Sequence, residues 1–126
     1  PEALRFMSSL LPGGMVAVAK HNRQMALAAR RLLAAALGSA LPAPDSMIGS
    51  LATVPVSDAT EQAPVGLLQF DSLQENLFHR HRIEVPIIPF PRWPRRLVRI
   101  SAQVYNDPED YRKLANALVD ELRGPS

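Results

Sequence analysis

The spacing of hydrophobic residues predicts a long helix in the first third of the chain. Apolar side chains recur at helical intervals from about Met15 to Leu37, after the helix-breaking cluster Pro12-Gly13-Gly14. Gly38 stands where a left-handed residue commonly ends a helix. The apolar residues that fall near one face, and that we expect to be buried, are Val18, Met25, Ala29, Leu32 and Ala36.

A second clear helix is predicted near the C-terminal end. Asp107 can cap it, Pro108 takes its first position, and Glu109 and Asp110 lie at the positive end of its dipole. The apolar stripe that follows at intervals of three and four residues is Tyr111, Leu114, Ala115, Leu118 and Leu122. We expect this helix to stop before Gly124-Pro125.

A shorter helix is predicted between these two. Asp71 or Ser72 can cap its beginning, and its end falls near His81. The side chains expected to point inward are Leu73, Leu77 and Phe78.

Alternation of apolar and polar residues predicts three strands. The first runs from Met47 to Val56, where Gly49 and Pro55 indicate an edge strand or a bulge. The second covers 83–87 and ends at Pro89. The third is the clearest and has two distinct faces. Its apolar face consists of Val98, Ile100, Ala102 and Val104, and its polar face of Arg99, Ser101 and Gln103.

The order of elements predicts an α+β fold. The connection between the second and third strands, Phe90 to Arg96, is too short for a crossover helix, so these strands should be antiparallel. We therefore expect a small antiparallel three-stranded sheet with helices on one face. Residues 1–126 are interpreted as a single domain, and 1–13 as an inter-domain segment that leads into it.

Composition excludes several classes of function. The chain has 126 residues, a formal charge of +2, no cysteine and no apolar run long enough for a membrane span. Its basic residues are not concentrated in one run, so we expect neither a nucleic-acid nor a membrane partner. The absence of cysteine is compatible with the cytoplasm.

Arg99 is the candidate binding residue. The apolar face of its strand is expected to pack against helices, which leaves the guanidinium on the opposite face. One interpretation is a solvated sheet residue. The other is an anion receptor covered by a second domain, because the guanidinium fork matches a carboxylate.

Two other clusters favour structural roles. His79 and His81 do not share a helical face and have no evident carboxylate partner, so no metal site is predicted. The basic residues around Trp93, which are Arg92, Arg95 and Arg96, are interpreted as a solvated loop anchored by a buried tryptophan. No catalytic, cofactor-binding or metal-binding residue is predicted within this chain.

Two segments resemble the closing part of class V aminotransferase-like enzymes, and among these the isopenicillin N epimerase-like proteins. They are the run Arg82-Ile83-Glu84-Val85-Pro86 and the run from Leu97 to Asn106, followed by Asp107-Pro108-Glu109-Asp110-Tyr111. The opening segment from Leu4 to Asn22, the alanine-rich helix and Met47-Ile48-Gly49-Ser50 also fall where the family has them.

The resemblance implies the C-terminal small domain of a fold type I enzyme. In such enzymes a large domain, which would lie outside this chain, holds pyridoxal phosphate as a Schiff base on a lysine, and the small domain closes over an amino-acid-like substrate. The family arginine matched by Arg99 binds the substrate α-carboxylate. An epimerase, a lyase or a transaminase would fit, as a cytoplasmic homodimer when intact, and this chain alone would be inactive.

The chain departs from the family pattern in two respects. Related cysteine desulfurases have a reactive cysteine near the position of Ile83. This chain has no cysteine, which argues against a desulfurase of that type. Neither Lys20 nor Lys113 lies in a segment that resembles the cofactor-lysine motif. Two alternatives remain open: a stand-alone small-molecule-binding or regulatory α+β domain that uses Arg99, and a nucleic-acid-binding domain that uses the arginine loop.

Overall fold

The computed structural model describes residues 5, 9, 11–41, 44, 48–49, 51–64, 70–102 and 106–123. Within these ranges the helices are α1 (Gly14–Leu37), α2 (Ser72–His81) and α3 (Pro108–Leu122). The strands are β1 (Leu51–Val56), β2 (Ile87–Pro89) and β3 (Arg96–Ser101). None of the described helices is both long enough and apolar enough to cross a membrane.

The three strands form one antiparallel sheet in the order β1-β3-β2. Thr53 lies opposite Arg99 in the β1–β3 ladder, and Ile87 lies opposite Val98 in the β2–β3 ladder. β1 is therefore an edge strand, as its proline predicted. Pro55 has no N–H to donate, and an edge position tolerates that loss. The antiparallel pairing of β2 with β3 confirms the expectation from their short connection.

One face of the sheet packs against the helices. Alternate strand residues that include Val54, Val98 and Ile100 are almost fully buried, and they form one cluster with side chains of all three helices. From α2 this cluster takes Leu77, and from α3 it takes Leu118. The expected α+β fold, a small antiparallel sheet with helices on one face, is confirmed.

The buried face of α1 differs from the one expected. Val18 and Ala29 are buried, but Met25 and Leu32 are half-buried and Ala36 is exposed. The buried residues of this helix are Val18, Asn22, Ala26, Leu27, Ala29, Arg30, Leu33 and Ala34. Alanine occurs all around the helix, so hydrophobic spacing alone did not fix the rotation, and a face that includes Asn22 and Arg30 gives no apolar signal.

The inward position expected for Phe78 is wrong. Its side chain is 46% exposed, whereas Leu73 and Leu77 are buried. Five residues after Leu73, Phe78 is rotated about 140° from it around the helix axis. Leu77, four residues after Leu73, takes the inward position instead.

The second strand is shorter than expected. Ile83 and Val85 are half-buried and pack against the core, but they precede β2, which begins only at Ile87. Arg82 adopts a left-handed conformation with φ of 58° and ends α2, and Ile83 to Pro86 then lead from this helix end to β2. Ladder pairing between β2 and β3 therefore stops at Ile87 opposite Val98. Beyond it, the N–H of Arg99 donates to the carbonyl of Pro86 at 3.1 Å.

Candidate functional site

Arg99 lies on the face of the sheet opposite the helices. We call this the open face. Its side chains are half-buried or exposed rather than buried, and they are Leu51, Thr53, Pro55, Ile88, Leu97, Arg99 and Ser101. Leu51 is 53% exposed. A sheet that packs helices on one side only leaves such a mixed surface available to water or to another domain.

A cleft opens where β2 diverges from β3. It has a volume of about 410 Å³. We call it the Arg99 cleft, and its lining consists of residues 82–86, residues 99–101, Asn106, Asp110, Tyr111, Lys113 and Leu114. Residues 82–86 of the lining precede β2, and residues 99–101 are the last three of β3. Residues 83–86, which were predicted to belong to the second strand but precede β2, therefore line the cleft.

Three cations and two carboxylates line the Arg99 cleft. The cations are Arg82, Arg99 and Lys113, and the carboxylates are Glu84 and Asp110. Asp110 is already engaged at the start of α3, since its Oδ2 accepts from the N–H of Asp107 at 3.1 Å. The cleft is therefore suited to an anionic ligand more than to a cation.

Two hydrogen bonds join residues that line the cleft, one between α3 and the end of β3 and one at the start of α3. The hydroxyl of Tyr111 donates to the carbonyl of Ser101 at 3.2 Å. The Asp110 carboxylate also accepts from Nδ2 of Asn106 at 3.3 Å. These contacts fix the first turn of α3 against the end of β3, so the groups that line the cleft come from a rigid support.

The two lysines occupy different places. Lys20 and Lys113 are both exposed, as expected for polar positions of amphipathic helices. Lys113 nevertheless lines the Arg99 cleft. Its spacing on the helix gave no sign of this, because the cleft is formed by a turn that is distant in sequence.

His81 has carboxylate partners, contrary to expectation. Its Nε2 lies 3.0 Å from Oε1 of Glu121 and 3.8 Å from Oδ2 of Asp120. Arg80 also contacts the Glu121 carboxylate, with its Nη1 3.4 Å from Oε2. The three potential ligand atoms of His81, Asp120 and Glu121 lie within 4.8 Å of one another. These partners are about 40 residues downstream, on α3, so no local sequence pattern could show them.

The arginine cluster around Trp93 divides into two kinds of residue. Arg92 and Arg95 are exposed, as expected of a solvated loop. Trp93 is half-buried rather than buried, and its Nε1 donates to the carbonyl of Glu61 at 3.0 Å. Arg96 does not belong to the loop, because it begins β3 and its side chain is buried against Asp71.

The arrangement can hold an anion but offers little further chemistry of its own. Among the described residues, the Arg99 guanidinium makes no side-chain hydrogen bond or ion pair. It is therefore available to a ligand or to a covering surface. A guanidinium can grip a carboxylate through two parallel charge-assisted hydrogen bonds.

Two curated proteins are similar to almost the whole chain. Isopenicillin N epimerase of Streptomyces clavuligerus is 34% identical over an alignment of 126 positions, which covers 98% of the chain and 28% of that protein. The probable L-cysteine desulfhydrase, chloroplastic, of Arabidopsis thaliana is 32% identical over 134 residues, with 98% of the chain and 26% of that protein covered. No protein-family model matches the chain.

These relatives show which proteins the chain is similar to, but they do not show the activity of the protein to which it belongs. Both are class V-like pyridoxal-phosphate proteins, and this confirms the resemblance drawn from the sequence. The chain spans only about a quarter of the length of either relative.

Proposed function

We propose that this chain, a relative of class V-like pyridoxal-phosphate enzymes, is the C-terminal domain that closes over the substrate in an enzyme of that kind. The supporting observation is Arg99, which lies at an open cleft with its guanidinium unengaged by the described residues. In this proposal Arg99 binds the α-carboxylate of an amino-acid-like substrate. The open face is then covered by the larger part of the enzyme.

The role of Arg99 is to orient the substrate. Two charge-assisted hydrogen bonds fix both the position and the plane of a carboxylate, which a single point charge cannot do. A fixed carboxylate limits the rotation of the α-carbon and so selects the bond to be broken. Pyridoxal phosphate supplies the electron sink for that step when it is bound.

The cofactor contacts come from outside this chain in our proposal. Lys20 and Lys113 are exposed helix residues, and neither lies in a cofactor-lysine motif. A large domain would supply the lysine and most contacts to the phosphate. We further propose that the intact enzyme is a cytoplasmic homodimer, on the strength of the family resemblance.

The names of the two relatives indicate the class of reaction only broadly. One relative is named as an epimerase and the other as a desulfhydrase. An epimerase or a lyase acting on an amino acid is therefore preferred over a transaminase. Binding of a carboxylate through Arg99 is common to all three.

Steady-state kinetics of Arg99 variants in the complete enzyme tests the proposal. We expect Arg99→Ala and Arg99→Lys to lower kcat/KM by about 30- to 1,000-fold, the range for removing one partner of a desolvated charge pair. The lysine variant should not rescue activity, because an ammonium cannot reproduce the guanidinium fork. The absorbance of the bound cofactor should stay as in the unmodified enzyme.

Arg92→Ala is the matched control, since it removes an exposed arginine that does not line the Arg99 cleft. Its kcat/KM should remain close to that of the unmodified enzyme. Near-normal efficiency in both Arg99 variants would remove this residue from the site. Loss of cofactor in place of substrate affinity would show that Arg99 has a different role.

A further inference from the structure

Arg82 adopts a backbone conformation that its own side chain disfavours. Among the described residues it is the one non-glycine residue with a positive φ, at 58°. A left-handed conformation brings the Cβ of an L-residue close to the following carbonyl, whereas glycine has no Cβ and adopts it freely. Strain of this kind in a cleft points to a function for the side chain that bears it.

The turn at Arg82 needs only backbone groups. The N–H of Arg82 donates to the carbonyl of Phe78 at 3.1 Å, and the N–H of Ile83 donates to that of Leu77 at 3.0 Å. These two bonds end α2, and a glycine would make both with less strain. The turn itself therefore does not require an arginine, and the interaction of a cation with the negative end of the α2 dipole is the structural role that remains for this side chain.

The Arg82 side chain belongs to the Arg99 cleft. Both residues line the cleft and both are exposed. Within the described part of the chain, neither guanidinium has a side-chain hydrogen bond or ion-pair partner. Lys113 adds a third positive charge, while one of the two carboxylates of the lining, Asp110, is engaged by the N-terminus of α3. Two arginines whose guanidinium groups have no partner among the described residues thus line a single cleft.

We infer that Arg82 is a second carboxylate receptor of the Arg99 cleft, and that the cleft selects an amino-acid substrate with two carboxylate groups. This inference rests on the proposed function, because it assigns the first carboxylate to Arg99. The cleft volume of about 410 Å³ lies within the range of about 300–1,000 Å³ typical of small-molecule sites. A substrate with one carboxylate would leave the Arg82 guanidinium without a partner, which gives the cleft a basis for selection.

Titration of the 126-residue chain with butyrate and glutarate tests the assignment. These acids differ by one carboxylate, and two-dimensional amide NMR spectra report both affinity and place. We expect glutarate to bind about tenfold more tightly than butyrate, because it gains one more charge-assisted interaction. Both should shift signals of residues around Arg99, and glutarate should also shift those of the turn at Arg82.

Arg82→Gly separates the side chain from the turn. The variant keeps the left-handed conformation and should show an unchanged or higher urea midpoint. It should bind glutarate no more tightly than butyrate, while its butyrate affinity stays within about twofold of the unmodified chain, because the first carboxylate is held by Arg99. Arg92→Ala removes the same charge outside the cleft and should keep the tenfold preference, which controls for net charge.

The possible failures are distinguishable. Equal affinity for the two acids, with shifts around Arg99, would overturn the role of Arg82 and leave the proposed function standing. Absence of any shift around Arg99 with either acid would overturn the inference, and the kinetics of the Arg99 variants in the complete enzyme then decide the proposed function. A preference for glutarate that persists in Arg82→Gly, or a clearly lower urea midpoint in that variant, would also refute the inference.

Discussion

The ion pair between Arg96 and Asp71 should be the most costly polar contact to break. Nη1 of Arg96 donates to Oδ1 of Asp71 at 2.7 Å, and the two side chains are 8% and 4% exposed. The same carboxylate oxygen caps α2 by accepting from the N–H of Leu73 at 2.8 Å. Nε of Arg96 donates to the carbonyl of Ser57, just after β1, at 2.9 Å. One pair thus connects the sheet with the start of α2.

Arg96→Met should destabilise the chain by about 3–5 kcal/mol, because it leaves the Asp71 carboxylate buried without a cation. A domain is typically stable by about 5–15 kcal/mol in total, so this loss is a large share. Asp71→Asn isolates the charge, since its side-chain oxygen can still accept from Leu73 and preserve the cap. With both charges removed, the double variant should lose about 2 kcal/mol less than the two single losses combined.

Urea unfolding followed by far-ultraviolet circular dichroism measures all four members of this cycle. The slope of the unfolding free energy against urea concentration should be the same for all four proteins, so that differences in midpoint report stability rather than a changed unfolded state. Additive losses below about 1 kcal/mol each would refute the reasoning, because they are typical of a solvated surface pair. If Arg96→Met does not fold, Asp71→Asn alone still tests whether loss of the charge matters.

Two further predictions concern the start of α3 and the cofactor. Asp107→Ala should cost about 1 kcal/mol in urea unfolding and Asp107→Ser much less, because serine can still accept from the N–H of Asp110; equal losses would exclude a capping role. When mixed with pyridoxal phosphate and dialysed, the isolated chain should keep no stoichiometric visible absorbance. Absorbance that survives dialysis and disappears on changing Lys20 or Lys113 would contradict our placement of the cofactor lysine outside this chain.

The features predicted correctly from the sequence are those that local interactions determine. At the start of α3, Asp107 caps as predicted, with its Oδ1 accepting from the N–H of Asp110 at 3.1 Å. In turn, the Asp110 carboxylate accepts a hydrogen bond from the N–H of Asp107. The two bonds together form a capping box, which was not predicted from the sequence. Four of the five residues in the predicted stripe of α3 are buried, whereas Leu122 is half-buried and Ala117 is buried without having been predicted.

Sequence reasoning failed where a distant partner decides the structure. Ile83 and Val85 alternate like strand residues, but pairing with β3 starts only at Ile87, after the turn at Arg82 that ends α2. His81 looked isolated because Glu121 lies on another helix. The face on which Arg99 lies could be predicted, because the alternation of a strand is local. The cleft beside it could not be predicted, because three segments distant in sequence form it.

The two arginines of β3 lie in different environments on the same strand. Arg96 and Arg99 are three residues apart, and an odd separation places side chains on opposite faces of a strand. Arg96 therefore enters the helix side, where it is buried against a carboxylate, while Arg99 faces the open side with its guanidinium available. A shift of one residue in the pairing with β1 would exchange these environments and would also expose Val98. The burial of Val98 and the Arg96–Asp71 pair thus oppose such a shift together, and in doing so they keep the Arg99 side chain on the open face.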